Sequence, residues 1–430
     1  MDDQLLTSPI FAKGFIVPEG LDGPPPAYLD APYDVWDDLL RAASEVALQV
    51  ADKSPTAEQW RKRLRDMPVL PVLSLLRNPG PLLCARRVLA FLQHFYVHSL
   101  PDDEVKPCMI PASIAVPLLL ISHALDLPPV VTFADTEFYN FSVSPARPLD
   151  SNAKLHMLSN FSGTPDEAHF YITGLVVELE GIEALQLMRN VIDVVRQRDG
   201  ASNRHAVVTF LLNELGACIQ RMAAVVDTIR GGCDPNVYYD QVRLWFNGCP
   251  GTGQWRFWVR DVRDGYAEME EMAGASAAQS STVQALDAFL GITDETHETS
   301  HSKSGNFLER MRAYMPRSHR EFIARLAREG SALREWISGN DVADEQLVRK
   351  AYNDALDALR RFRTVHIRIA TMYIVNPRRR TSSPGPPDVC GSMGATDTGK
   401  PPAVSSLGTG GTTAIPFLKS IRNRTAGAAL

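Results

Sequence analysis

The chain has 430 residues, 45% of them hydrophobic and 22% charged, with a formal net charge of -6. That length allows two domains, and the composition excludes a disordered or fibrous protein. The acidic balance excludes a general nucleic-acid binder, which needs a basic face; the short run Arg378-Arg379-Arg380 reads as a solvated tail.

Along the chain, the first segment, MDDQLLTSPIF, is acidic where a secretory signal carries positive charge. Residues 1–35 are too rich in proline and glycine for regular structure, and helical patterns follow at 36–66 and 81–99, broken at NPGP. The most apolar window, IPASIAVPLLLISHAL, is too short for a membrane span and carries two prolines, so it reads as core. A proline-punctuated segment at 101–117 leads to LDLPPVVTFADTEFYNFSV, taken as the passage from a small helical domain, 1–126, to a larger one, 127–430.

Long helices are predicted at 167–199 and 203–230, then an aromatic-rich segment at 237–247 and a small-residue loop at 273–281. Further helices are predicted at 282–290, 305–314, 317–328 and 344–375. No sustained alternation typical of strands occurs, so the fold class is mainly α. Residues 376–407 turn to Pro, Gly and Ser, the composition of a mobile loop. The chain then regains apolar anchors in GTGGTTAIPFLKSIRN, which makes 408–413 a lid segment returning to the core. Six cysteines, at 84, 108, 218, 233, 249 and 390, form no CxxC pair and read as reduced thiols of a cytoplasmic protein.

The last long helix raises the chemical question. Val348, Tyr352, Ala355, Leu359 and Phe362 mark one helical face, and its next members are His366, Ile369 and Tyr373. A neutral core histidine bonded to a carbonyl is the commoner outcome; an axial iron ligand is the sharper reading. Arg363 lies one turn earlier. Its acid partner is sought in the stripe Val283, Leu286, Asp287, Leu290, on a helix opening with the capping pattern Ser281-x-x-Gln284 and closing at Gly291. Buried, Asp287 needs a partner; tilted outward, it needs none.

Arg243, within YYDQVRLWF, either pairs locally with Asp240 or grips a carboxylate through two parallel hydrogen bonds. The loop AGASAAQSS either lets backbone approach a flat ligand or is a plain linker. HETSH, 297–301, matches the zinc pattern HExxH, but its polar context has no apolar stripe and reads as a loop. His94 and His98 lack an accompanying acid, and GCPGTG lacks the lysine of a phosphate loop.

Together, PASIAVP (111–117), LPPVVTFAD (127–135), GASAAQSS followed by DAFLGI, MRAYMPRSHREF (311–322), VHIRIATMYI (365–374) and GTGGTTAIPFL (408–418) form a specific set. In their order and spacing the chain resembles the indoleamine 2,3-dioxygenase family over nearly its whole length. The resemblance implies haem b between a small helical domain and a larger all-helical one. His366 falls on the proximal iron ligand, and Arg363 and Asp287 on its proximal-side ion pair. Arg243 falls on the arginine that takes the carboxylate of L-tryptophan, and Phe133 and Phe170 on distal-pocket positions around the indole. Ser276 and Ala277 match small residues beside the haem edge, and Thr409 matches a lid threonine near the substrate's ammonium and carboxylate.

Tyr238 stands where the family often has phenylalanine, Gly174 where many members have serine, and Phe133 where some have tyrosine. The implied reaction inserts both atoms of O2 across the indole C2–C3 bond, giving N-formyl-L-kynurenine, the first step of the kynurenine pathway. No side chain acts as acid or base; an unidentified reductant keeps the haem ferrous, and the expected state is a monomer without nucleic-acid or membrane partners. An O2-binding haem protein, or a low-affinity paralogue with little turnover, is the alternative.

Overall fold

The computed structural model describes residues 3–101, 107–143, 155–197, 203–250, 254–258, 266–268, 271–292, 307–339, 343–377 and 414–430. It is mainly helical. The longer helices are α1 (Asp34–Glu45), α2 (Pro55–Asp66), α3 (Pro79–Ser99), α4 (Ala112–Leu125), α5 (Pro165–Arg196) and α6 (Arg204–Asp227). They continue with α7 (Ser281–Phe289), α8 (Arg317–Ser338), α9 (Ala343–Ala370) and α10 (Ala414–Gly427). Among the described residues five short strands form two small sheets: β1 (Cys108–Ile110) runs parallel to β4 (Trp255–Trp258), which pairs antiparallel with β5 (Tyr266–Glu268), while β2 (Phe141–Val143) pairs antiparallel with β3 (Leu155–Met157).

Among the described residues the apolar side chains gather into two large cores and one small cluster, Phe307, Met311 and Ile421. One large core gathers α5 to α9 together with Phe11 and Phe15. Its spine is the predicted face of α9, on which Val348, Tyr352, Ala355 and Leu359 are fully buried and which packs along α6. The other core holds α1 to α4 with residues from 229 to 275 and the end of α9's face, Ile369 and Tyr373. There Phe161 is sandwiched between Phe91, at 4.4 Å, and Trp245, at 5.6 Å, both in stacked geometry.

Several expected boundaries shift for local reasons. The pattern at 36–66 forms two helices, because the chain turns through Ala47 and Ala51 at positive φ. Ser54 then caps α2, accepting from the Ala57 N–H at 3.1 Å, with Pro55 in the first turn. The apolar window forms α4, with Ile114, Leu118 and Ile121 buried and Leu120 exposed. The cap of α7 is Ser280 rather than Ser281, since Gln284 does not reach back: it donates to the Ala278 carbonyl and accepts from Arg312 Nε. Gly291, at φ 61°, ends that helix as expected. The helix predicted at 317–328 runs on to Ser338, since Leu333 and Ile337 continue its buried face.

Buried polar groups fasten α3 to the segment entering the site. Arg86 pairs with Asp135 at 3.1 Å and donates to the carbonyls of Pro128 and Val130. His94 donates from Nδ1 to the Trp245 carbonyl at 2.8 Å and accepts the Val131 N–H on Nε2 at 3.0 Å. That pattern requires the neutral ring, so His94 is a structural staple. His319 lies against Phe15 and Phe138 and hydrogen-bonds Ser281 Oγ.

Burial lowers both histidines, His94 well below 6.5 and His319 to about 3. Below pH 6.5 the unfolded chain therefore takes up protons that the folded chain refuses, and stability falls as pH falls. Each ring contributes a slope of about 1.4 kcal/mol per pH unit, ending near pH 3 for His319. His319→Gln removes one such contribution, so between pH 7 and pH 5 its denaturation midpoint should gain on that of wild type, measured side by side.

Among the described residues, no helix is long and apolar enough to cross a membrane, and Cys84, Cys218 and Cys233 are free thiols. The HETSH segment, Cys390, Thr409, the 408–413 lid and all of the 376–407 loop after Pro377 lie outside the described residues.

Candidate active site

A cavity with about 1770 Å³ of empty space, part of it continuous with solvent, opens where α5, α7 and α9 meet the segments at 133–137 and 275–278. His366, Asp287, Arg363, Phe133, Phe170, Tyr238, Gly174, Ser276 and Ala277 all line it. Residues from distant parts of the sequence thus share one space. Arg243 is not among the lining residues; its guanidinium stands over the Tyr239 ring, 5.4 Å from the centroid. Its charge does reach the Tyr238 hydroxyl, where it opposes the upward push of burial.

Helix α9 delivers His366 from a continuous turn of packed residues. Among the described residues nothing hydrogen-bonds its ring. Burial, with the nearby Arg363 charge second, lowers it to about 4, so at neutral pH it is an unprotonated imidazole, the form that binds metals. Arg363 forms a buried ion pair with Asp287 and also donates to Thr425 Oγ1. One guanidinium therefore joins α7, α9 and α10.

The small-residue loop is held by backbone approach. Built onto Gly274, a Cβ would lie 1.6 Å from the Phe246 carbonyl oxygen, and on Gly248 it would lie 2.0 Å from that of Met272. Only glycine fits at either place. Gln279 then bridges loop and wall, accepting the Phe133 N–H at 2.8 Å and donating to the Gly274 carbonyl at 2.8 Å. Aromatic rings close one side: Phe170 packs against Tyr238 at 4.8 Å and Phe246 at 5.9 Å. Tyr373 meets Tyr238 at 5.7 Å and donates to the Cys233 carbonyl.

Two features were missed in the sequence. Among the described residues three π-helical turns, Ala134–Phe138, Tyr238–Val242 and Thr371–Val375, each contribute residues to the lining; such turns carry no sequence period and often mark functional sites. Two buried glutamates also line the cavity. Glu178 accepts from Ser280 Oγ, Thr282 Oγ1 and the Thr282 N–H, whereas Glu137 accepts only from Thr136 Oγ1.

Residues 12–428 match the model of the indoleamine 2,3-dioxygenase family. The chain belongs to that family. It is 31% identical to the indoleamine 2,3-dioxygenase of Saccharomyces cerevisiae over 364 residues, 79% of this chain and 77% of the relative. Indoleamine 2,3-dioxygenase 1 of Mus musculus is 27% identical, covering 85% of this chain and 84% of the relative. The 6-hydroxytryptophan 2,3-dioxygenase of Fusarium equiseti is 28% identical, covering 78% of each. Membership makes the chain an oxidoreductase of the dioxygenase class.

The residues present fit the haem that this family uses. A flat, largely apolar group needs a wide apolar space, a close backbone approach at one edge and one nitrogen donor. The cavity supplies its mainly apolar lining, the 275–278 stretch and the unbonded imidazole of His366. Among the described residues, no group of three or more metal-binding side chains competes with it.

Proposed function

We propose that this chain is a haem dioxygenase that inserts O2 across the C2–C3 bond of the indole ring of L-tryptophan, releasing N-formyl-L-kynurenine. The observation that carries the reading is the neutral, unbonded His366 lining a mainly apolar cavity, one helical turn from the buried Arg363–Asp287 pair. When bound on His366, the haem supplies the oxygen chemistry and the protein supplies binding and orientation.

The chain's own residues then have three tasks. Phe133 and Phe170 pack the indole and exclude water. Arg243, standing over Tyr239 next to Tyr238, turns to take the substrate carboxylate, and the family resemblance assigns Thr409, outside the described residues, a place near the ammonium and carboxylate. Ser276 and Ala277 leave room at the haem edge. Arg363 and Asp287 hold the imidazole's helix in place by tying it to α7. No acid or base is required of Gly174.

Loss of one charge-assisted pair removes about 2 kcal/mol of substrate binding, or roughly 30-fold in affinity. Arg243→Ala should therefore raise KM for L-tryptophan by that order while the haem absorption bands stay unchanged; an unchanged KM removes the arginine from the site. The function itself is tested by supplying the haem-loaded, chemically reduced protein with L-tryptophan and O2. One N-formylkynurenine should form per O2 consumed. Reversible O2 binding without product would make the chain an oxygen carrier instead.

A further inference from the structure

Glu137 has no evident duty in the fold. It is 3% exposed and lines the cavity, yet Oε2 accepts only the Thr136 hydroxyl and nothing among the described residues hydrogen-bonds Oε1. The other lining acids are engaged, Glu178 by Ser280 and Thr282 and Asp287 by Arg363. A buried carboxyl left half-satisfied is costly and calls for a reason.

The surroundings supply one. The π-turn Ala134–Phe138 turns Glu137 into the cavity four residues from Phe133, a lining ring. Across from it, α5 presents Gly174, where an added Cβ would lie 3.3 Å from both Cγ and Oε1 of Glu137. The missing side chain at 174 is what gives the carboxyl its room. Phe133, Phe170, Glu137 and Gly174 line the same cavity, so the Glu137 carboxyl shares its space with aromatic rings.

We propose that Glu137 is a specificity-determining residue that hydrogen-bonds a polar group on the edge of the substrate's indole ring, either the ring N–H or a ring hydroxyl. This rests on the indole-oxidising reading above and goes further by assigning how the ring is read. Burial first, then the nearby negative charges of Glu178 and Asp135, push Glu137 well above the ordinary carboxylate range. The shift favours the protonated carboxyl, the form able both to donate and to accept. A pocket with such a group discriminates against rings that leave it unpaired.

The test uses the haem-loaded full chain with L-tryptophan, N1-methyl-L-tryptophan, 5-hydroxy-L-tryptophan and 6-hydroxy-L-tryptophan. Wild type is compared with Glu137→Leu, Glu137→Gln and Gly174→Ala. Glu137→Leu should change the ratio of kcat/KM between substrates by roughly tenfold, the worth of one hydrogen bond, chiefly through KM. Glu137→Gln should restore part of the ratio, and Gly174→Ala, by crowding the carboxyl, should shift it as Glu137→Leu does.

A lost preference for tryptophan over its N1-methyl form assigns the ring N–H; a lost preference for a hydroxylated ring assigns the hydroxyl. Infrared difference spectra of substrate binding without turnover should show a carboxylic-acid band that shifts, absent from Glu137→Gln. Ratios within about twofold of wild type in an active Glu137→Leu enzyme, or a band unmoved by substrate, overturn the assignment. Should wild type oxidise none of the four, the indole reading fails first and this one falls with it.

Discussion

His366→Ala should yield a protein that folds but does not retain haem, with activity lost in proportion. The ring sits at the end of a buried face, and no hydrogen bond to the described residues depends on it, so its removal leaves the helix largely intact. The effect on haem affinity should exceed the roughly 10–100-fold that follows loss of a mere partner behind a metal ligand. Absorption spectra of the reduced, CO-treated protein check this. Free imidazole added to the variant should restore part of the haem band by occupying the space the side chain left. A normal reduced spectrum in His366→Ala would move the ligand elsewhere.

The second large effect concerns stability. Asp287 and Arg363 are 4% and 6% exposed, and removing one member of such a pair strands the other's charge. Asp287→Ala should cost about 3–5 kcal/mol. Thr425 still accepts from Arg363 but carries no charge to balance it. The double variant Asp287→Leu with Arg363→Met should recover most of that stability, because replacing a whole buried pair with apolar volume is far less costly than halving it. Chemical denaturation of all three proteins measures this. If Asp287→Ala denatures like wild type, the pair is not a clamp. The double variant should still bind haem more weakly than wild type, since the helix carrying His366 has lost its tie to α7 and α10.

What was legible in advance follows from what is local. The face of α9 could be read because helical periodicity needs no tertiary knowledge, and His366 stood out as its one imidazole. The residues alone left Asp287 either paired in the core or tilted to solvent, and it was the family resemblance that joined it to Arg363. The family resemblance assigns Phe133, Phe170, Ser276 and Ala277 to a haem site; in the structure the four line one cavity.

Other features needed the third dimension. Gln284 looked like half of a capping box, but Arg312, 28 residues away, draws it off, and the cap moves to Ser280. Nothing in a sequence period signals the three π-turns, so the inward aim of Glu137 was not seen. The role of Gly174 was likewise hidden: the sequence marks it only as a departure from the family's serine, whereas in the structure it faces the Glu137 carboxyl. Helix α10 was seen only as apolar anchors; Arg363 to Thr425, Arg334 to the Ala428 carbonyl and Asn353 to Leu430 hold it in place.

The most direct measurement is a haem titration of the purified full chain, followed by visible absorption in the ferrous state before and after L-tryptophan is added. The account predicts tight binding of one haem per chain, a histidine-ligated ferrous spectrum and a change in that spectrum with tryptophan. Weak binding without fixed stoichiometry, or a spectrum indifferent to tryptophan, would contradict it.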